Sequence, residues 1–99
     1  MMSAEEMFEV IEDEYNAFIE DMARGETFCR YIDESTYEDE FSHNDIGIMQ
    51  GRFMEKARLW LHENKPGKYL VSASWCVFVM TEEEAKKRNR LNYQRFLVN

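Results

Sequence analysis

Phe8, Ile11, Tyr15, Phe18 and Met22 recur at steps of three and four residues. That spacing draws one apolar seam along an α-helix and does not suit the two-residue period of a strand. Ser3 with Glu6 forms a capping box, Met2 and Met7 take the staple positions around it, and Gly25 offers a C-terminal stop. A helix over residues 4–24 is expected, and the rest of the chain must supply a surface for its seam.

Two further start signals follow. Ser42 with Asp45, flanked by Phe41 and Ile46, opens a helix whose apolar face is Met49, Phe53, Ala57 and Trp60. Gly47 and Gly51 weaken its early turns by about 1 kcal/mol each relative to alanine, which suggests close packing against another element. The turn signal Lys65-Pro66-Gly67-Lys68 ends it. Thr81 with Glu84 is a third capping box, and Lys86, Lys87, Arg88 and Arg90 crowd the exposed side of the helix it opens.

Between these helices, Tyr69 to Met80 is rich in β-branched and aromatic residues and lacks a polar face, so it reads as a buried strand. Thr27 to Ile32 is a candidate partner, with Phe28, Arg30 and Ile32 on one side and Cys29 and Tyr31 on the other. Residues 33–40 read as an acidic loop or a poorly formed helical turn. The expected class is α+β, with three helices (about 4–24, 43–64 and 82–95) around a minimal sheet that includes 69–80. An all-α bundle is the alternative if 69–80 is helical.

Charge is divided by position. Residues 1–45 hold fifteen acids against Arg24 and Arg30, and residues 46–99 hold five acids and ten bases. The halves are −13 and +5, which make up the net −8. On the first helix Glu5, Glu9 and Asp13 stack at i, i+4, and Glu6, Glu9 and Glu12 at i, i+3. Four like-charge pairs cost roughly 1–2 kcal/mol in an isolated helix, and no lysine on that helix offsets them. One reading is a solvated acidic face helped by the helix dipole. The other is an anionic row for a basic partner, repeating every ~5.4 Å in imitation of phosphates. In the second acidic stretch, Glu34, Glu38, Asp39 and Glu40 would steer a partner while Tyr37 anchors it. That stretch lacks the glycine and the terminal glutamate of an EF-hand loop.

Other chemistry has thin support. Cys29, His43, His62 and Cys76 lack the short spacings of a zinc site, so no metal or other cofactor is expected. No phosphate loop, nucleophile elbow or zinc-protease motif is present. The length of 99 residues points to one domain over 1–99, and 44% apolar with 14% aromatic content excludes an intrinsically disordered chain. Two cysteines and no export signal suggest a reduced, cytoplasmic protein, and no apolar run approaches the ~20 residues of a membrane span.

The leading expectation is a non-enzymatic, acidic interaction protein. It would bind and inhibit or modulate a basic, nucleic-acid-handling protein, in the manner of a phage anti-defence inhibitor, nuclease inhibitor or antitoxin, with nucleic-acid mimicry as one route. Its contact residues would be Glu5, Glu9, Glu12, Asp13, Glu34, Tyr37, Glu38, Asp39 and Glu40. Direct nucleic-acid binding through the basic C-terminal helix is one alternative. A small enzyme subunit using the Cys/His set is another.

Overall fold

A computed structural model describes residues 4–73 and 76–88, without the side chains of Ser72, Ala73, Cys76 and Arg88. The first helix, α1, spans Ala4–Ala23; Met2 and Ser3, invoked for its cap, lie outside the described residues. Its C-terminus closes as the glycine predicts. Gly25 adopts φ 81°, its N–H donates to the Met22 carbonyl at 3.2 Å, and the Glu26 N–H donates to the Asp21 carbonyl at 3.0 Å. This Schellman pair satisfies carbonyls that the helix end leaves open. Ile11, Phe18 and Met22 of the seam are buried. Phe8 is not: it is 60% exposed, and Met7 packs against the core instead.

Strand β1 is only Phe28–Cys29, shorter than the expected 27–32. Three residues past the strand the backbone kinks at Ile32, whose φ of 52° lies in the left-handed region that β-branched residues avoid. Tyr31 and Ile32 are consequently both buried rather than on opposite faces. The Ile32 carbonyl accepts from Gln50 Nε2 at 2.9 Å, which ties the kink to the helix below. A single turn of helix, α2, follows at Glu34–Tyr37.

Helix α3 spans His43–Asn64, and Ser42 caps it by accepting from the Asp45 N–H at 3.1 Å. Met49, Phe53 and Ala57 are buried as expected, together with Ile46 and Leu61. The Pro66-Gly67 turn follows, with Gly67 at φ 89° and Lys68 N–H donating to the Lys65 carbonyl at 3.1 Å. Among the described residues, Gly47 and Gly51 do not mark close packing. A Cβ built on either meets nothing within 4 Å.

Residues 69–80 form two strands, where one was expected. β2 (Lys68–Ala73) and β3 (Cys76–Thr81) pair antiparallel with Leu70 opposite Val79 and Val71 opposite Phe78. β1 pairs antiparallel with the other edge of β3, giving the order β1-β3-β2. Both sheet faces are covered, which removes the alternation that would have revealed two strands. Leu70 and Val77 join the core under α1 and α3. Val71 and Met80 face the other way, against Ala85 of α4 (Glu82–Arg88). The capping box of α4 is complete: Thr81 N–H donates to Glu84 Oε1 at 2.9 Å, and Glu84 N–H to Thr81 Oγ1 at 3.2 Å. The expected extension of this helix to residue 95 lies outside the described residues. The described architecture is α+β, with four helices and a three-stranded sheet.

α1 and α3 lie side by side and run in the same direction, since Glu12 pairs with Lys56 and Phe18 meets Trp60. Phe18 is the centre of the core. Its ring stands edge-on to Tyr31 at 5.7 Å, Phe53 at 5.9 Å and Trp60 at 5.7 Å. Phe18→Ala is predicted to lower unfolding free energy by about 3–5 kcal/mol in urea titrations. Gly47→Ala and Gly51→Ala are predicted to raise it by roughly 0.5–1 kcal/mol each, because neither alanine meets an obstacle. A loss of stability in either glycine variant would contradict the open helix face.

Candidate functional site

The acidic residues of α1 divide into two groups. Glu5, Glu9 and Asp13 are exposed on the side turned away from the core. Glu12 is half-buried and pairs with Lys56, whose ammonium also sits 4.6 Å from the centre of the Tyr15 ring. One of the four α1 residues expected to meet a partner is thus engaged by a cation from α3. A lysine absent from the helix sequence arrives through the fold.

The second acidic stretch is fastened to the first. Tyr37, at the end of α2, is half-buried, and its hydroxyl donates to Glu14 Oε2 at 2.8 Å. Its ring lies 6.1 Å from that of buried Phe41, and Phe41 N–H donates to the Tyr37 carbonyl at 2.9 Å. Tyr37 is therefore an internal anchor, which leaves little of it to project toward a partner. Burial pushes its phenol above the ordinary value, and the bond to Glu14 and the nearby charges of Asp13 and Glu40 push the same way. Asp13 and Glu14 of α1 and Glu40 of the stretch after α2 thus gather around one ring. Glu38, Asp39 and Glu40 are exposed. Glu34 is exposed too, with Oε2 at 2.7 Å from His43 Nδ1. The Tyr37–Glu14 bond brings the second acidic segment against α1 beside Asp13.

A related pair lies at the far end of α1. Tyr31 donates to Asp21 at 2.5 Å, and Asp21 also pairs with Arg24. Burial, followed by that hydrogen bond, raises the Tyr31 phenol strongly. The Cys29 thiol beside it is raised by burial as well, which depletes the thiolate a nucleophile requires. Among the described residues no group of three or more His, Cys, Asp or Glu side chains is placed to hold a metal ion.

Two surface features escaped the sequence pattern. One is a groove of about 270 Å³ between the first turns of α1 and α3, lined by Ala4, Met7, Phe8, Ile11, Ile48 and Arg52. Its apolar walls are exposed: Phe8 at 60% and Ile48 at 43%. The available signal was Ile48, an isoleucine off the Met49–Phe53 face of α3. The other is a depression of about 570 Å³ beside β1 and α4, where Phe28, Phe78, Lys68, Glu84 and Lys87 meet. The Phe28 and Phe78 rings are 4.8 Å apart.

No family model matches this chain, and neither a curated protein nor a solved structure matches it. Among the described residues no helix is long and apolar enough to cross a membrane.

Tyr31 and Tyr37 hold their protons more tightly in the folded chain than in the unfolded one. That contribution to stability is complete below the unfolded phenol value of about 10 and is lost as pH rises through the higher folded values. Wild-type stability is predicted to fall between about pH 9 and 11, with a smaller fall in the Tyr31→Phe/Tyr37→Phe double variant. Urea midpoints across that range test it; equal slopes for both proteins would refute the assignment.

Proposed function

We propose that this chain is a small, non-enzymatic binding protein that inhibits or modulates a basic, nucleic-acid-handling protein in the cytoplasm, without a cofactor. The observation that carries this reading is the Tyr37–Glu14 bond, which fastens the stretch bearing Glu38, Asp39 and Glu40 against α1 beside Asp13, on the helix that also displays Glu5 and Glu9. Two separated acidic segments thereby present a single field to a cationic surface. Carboxylates a turn apart repeat every ~5.4 Å, so the row competes for sites that accept phosphates. Attraction of this kind governs encounter more than lifetime.

The test couples salt with charge reversal. Exposed charges lose reach as the Debye length shrinks from about 10 Å at 0.1 M to ~3 Å at 1 M salt. A partner captured on wild-type protein should associate more slowly as salt is added, with little change in dissociation. Glu9→Lys should weaken its capture yet leave the free protein no less stable, since the new lysine sits a turn from both Glu5 and Asp13. Unchanged affinity in Glu9→Lys would reduce the acidic row to a solvated surface.

A second reading, direct contact with single-stranded nucleic acid, draws on the exposed Phe28 ring with Lys68 and Lys87 beside it. Aromatic faces flanked by cations stack bases and hold phosphates. A gel shift at physiological salt separates the readings: clear binding of DNA or RNA, lost in Phe28→Ala, would replace the first with the second.

A further inference from the structure

We propose that the solvent-facing row of α3, Ile48, Arg52, Glu55 and Leu59, is a self-association surface on which a second copy of this chain lays the same row antiparallel. This goes beyond the acidic reading and uses none of its residues.

The row is marked by spacing and by exposure together. Its four residues recur at steps of four, three and four, the spacing of the contact line in a two-stranded coiled coil. The chain's own core does not use it, because α3 buries Ile46, Met49, Phe53, Ala57 and Leu61 instead. All four residues of the row are exposed, with Leu59 at 52% and Ile48 at 43%. Residues 48 and 59 lie about three turns apart and so share one face. Gly51 beside them adds no side chain to shield the row, and a Cβ there would meet nothing within 4 Å. At its N-terminal end the row joins the groove of about 270 Å³, where Ile48 and Arg52 stand opposite Met7, Phe8 and Ile11 of α1.

Charge selects the occupant and its direction. In a parallel, in-register pair Arg52 would face Arg52, and Glu55 would face Glu55. Turned antiparallel about a two-fold axis, Arg52 of each copy faces Glu55 of the other, and Ile48 faces Leu59. One register makes all four contacts, because the row is symmetric about its midpoint: apolar residues at both ends, opposite charges between them. An isologous interface requires a patch that is complementary to itself in this way, and polar residues within an apolar contact line fix its register. Arg52 enters no ion pair among the described residues. Glu55 acts on Arg58 within its own helix, and its exposure leaves it open to a second guanidinium. Leu59 of the second copy, set over Ile48, enters the groove against Phe8, which is 60% exposed. No acid lines that groove among the described residues. Each copy carries −8, so the two meet against long-range repulsion and the association is weak.

Sedimentation equilibrium on the full chain, from about 10 µM to 1 mM in about 0.15 M salt, spans the affinities of a small interface. Wild type should pass from single to double mass across that range. Arg52→Glu and Glu55→Arg each create two like-charge contacts, and each should weaken association at least about tenfold. Ile48→Ser/Leu59→Ser should weaken it by at least about as much. Both charge reversals in one chain restore opposite charges and should recover association. An equal mixture of the two single reversals should recover it too, since each supplies the charge that the other lacks. Circular dichroism checks that every variant keeps its fold. A single mass up to 1 mM in wild type, or a double mass that Arg52→Glu leaves as it was, would overturn the proposal. Failure of both the doubly reversed chain and the mixture to recover would overturn it equally. None of these variants alters the acidic row of α1, so Glu9→Lys remains a separate test of that reading.

Discussion

The burial of one face of α1 against α3 and the sheet is what allows its other face to be so densely acidic. Stacked carboxylates oppose the helix by about 1–2 kcal/mol over four pairs. Burying a large apolar side chain contributes roughly 1.5–3 kcal/mol, and Ile11, Phe18 and Met22 are all buried. Packing outweighs repulsion several-fold, with Phe18 meeting three aromatic rings at once. The cation that the α1 sequence lacks arrives as Lys56, placed by the parallel run of α3. Without that packing the carboxylates would have no rigid row on which to be displayed.

Two cations of the C-terminal half spend their charge within α4. Lys86 pairs with Glu82 and Lys87 with Glu83, each across one turn of α4 at 3.6 and 3.8 Å. Exposed pairs of this kind contribute about 0–1 kcal/mol and spend their charge locally. Lys56 with Glu12 is the described pair that joins the two halves of the chain.

How much of this was legible beforehand depended on the range of the interaction. Features set by neighbours within a turn were readable: the seam of α1, the Gly25 stop, the Ser42 and Thr81 caps, the Pro66-Gly67 turn. Features set by distant partners were not. The division of 69–80 into two strands is hidden because α4 covers the face of the hairpin opposite the main core, and residues 73–76 carry no glycine, proline or asparagine to announce a reversal. β1 stops at Cys29, and Ile32 beyond it takes a left-handed backbone that its residue type argues against, held by Gln50 from a later helix. For the site, the exposed acids were visible as residues. The role of Tyr37 as the tie between them requires a contact with Glu14 that sequence spacing does not encode. Phe8 misled because it fits the seam's period yet lies at its edge, where α3 leaves a groove.

The connectivity of α1 also bears on how the molecule assembles. The hairpin and the α3–β2 junction are made between neighbours in sequence, and closing such short loops is fast and entropically modest. α1 is different. Its ion pair to α3 spans 44 residues, and between the two helices the chain must add β1 to the far edge of the hairpin, Phe28 beside Phe78. A helix that repels itself and gains its stability from remote contacts depends on them for its own formation. Because Phe18 packs on Phe53 and Trp60, detachment of α1 would open the core of α3 with it. The strongest charge in the protein is thus carried by the part whose attachment is topologically most costly.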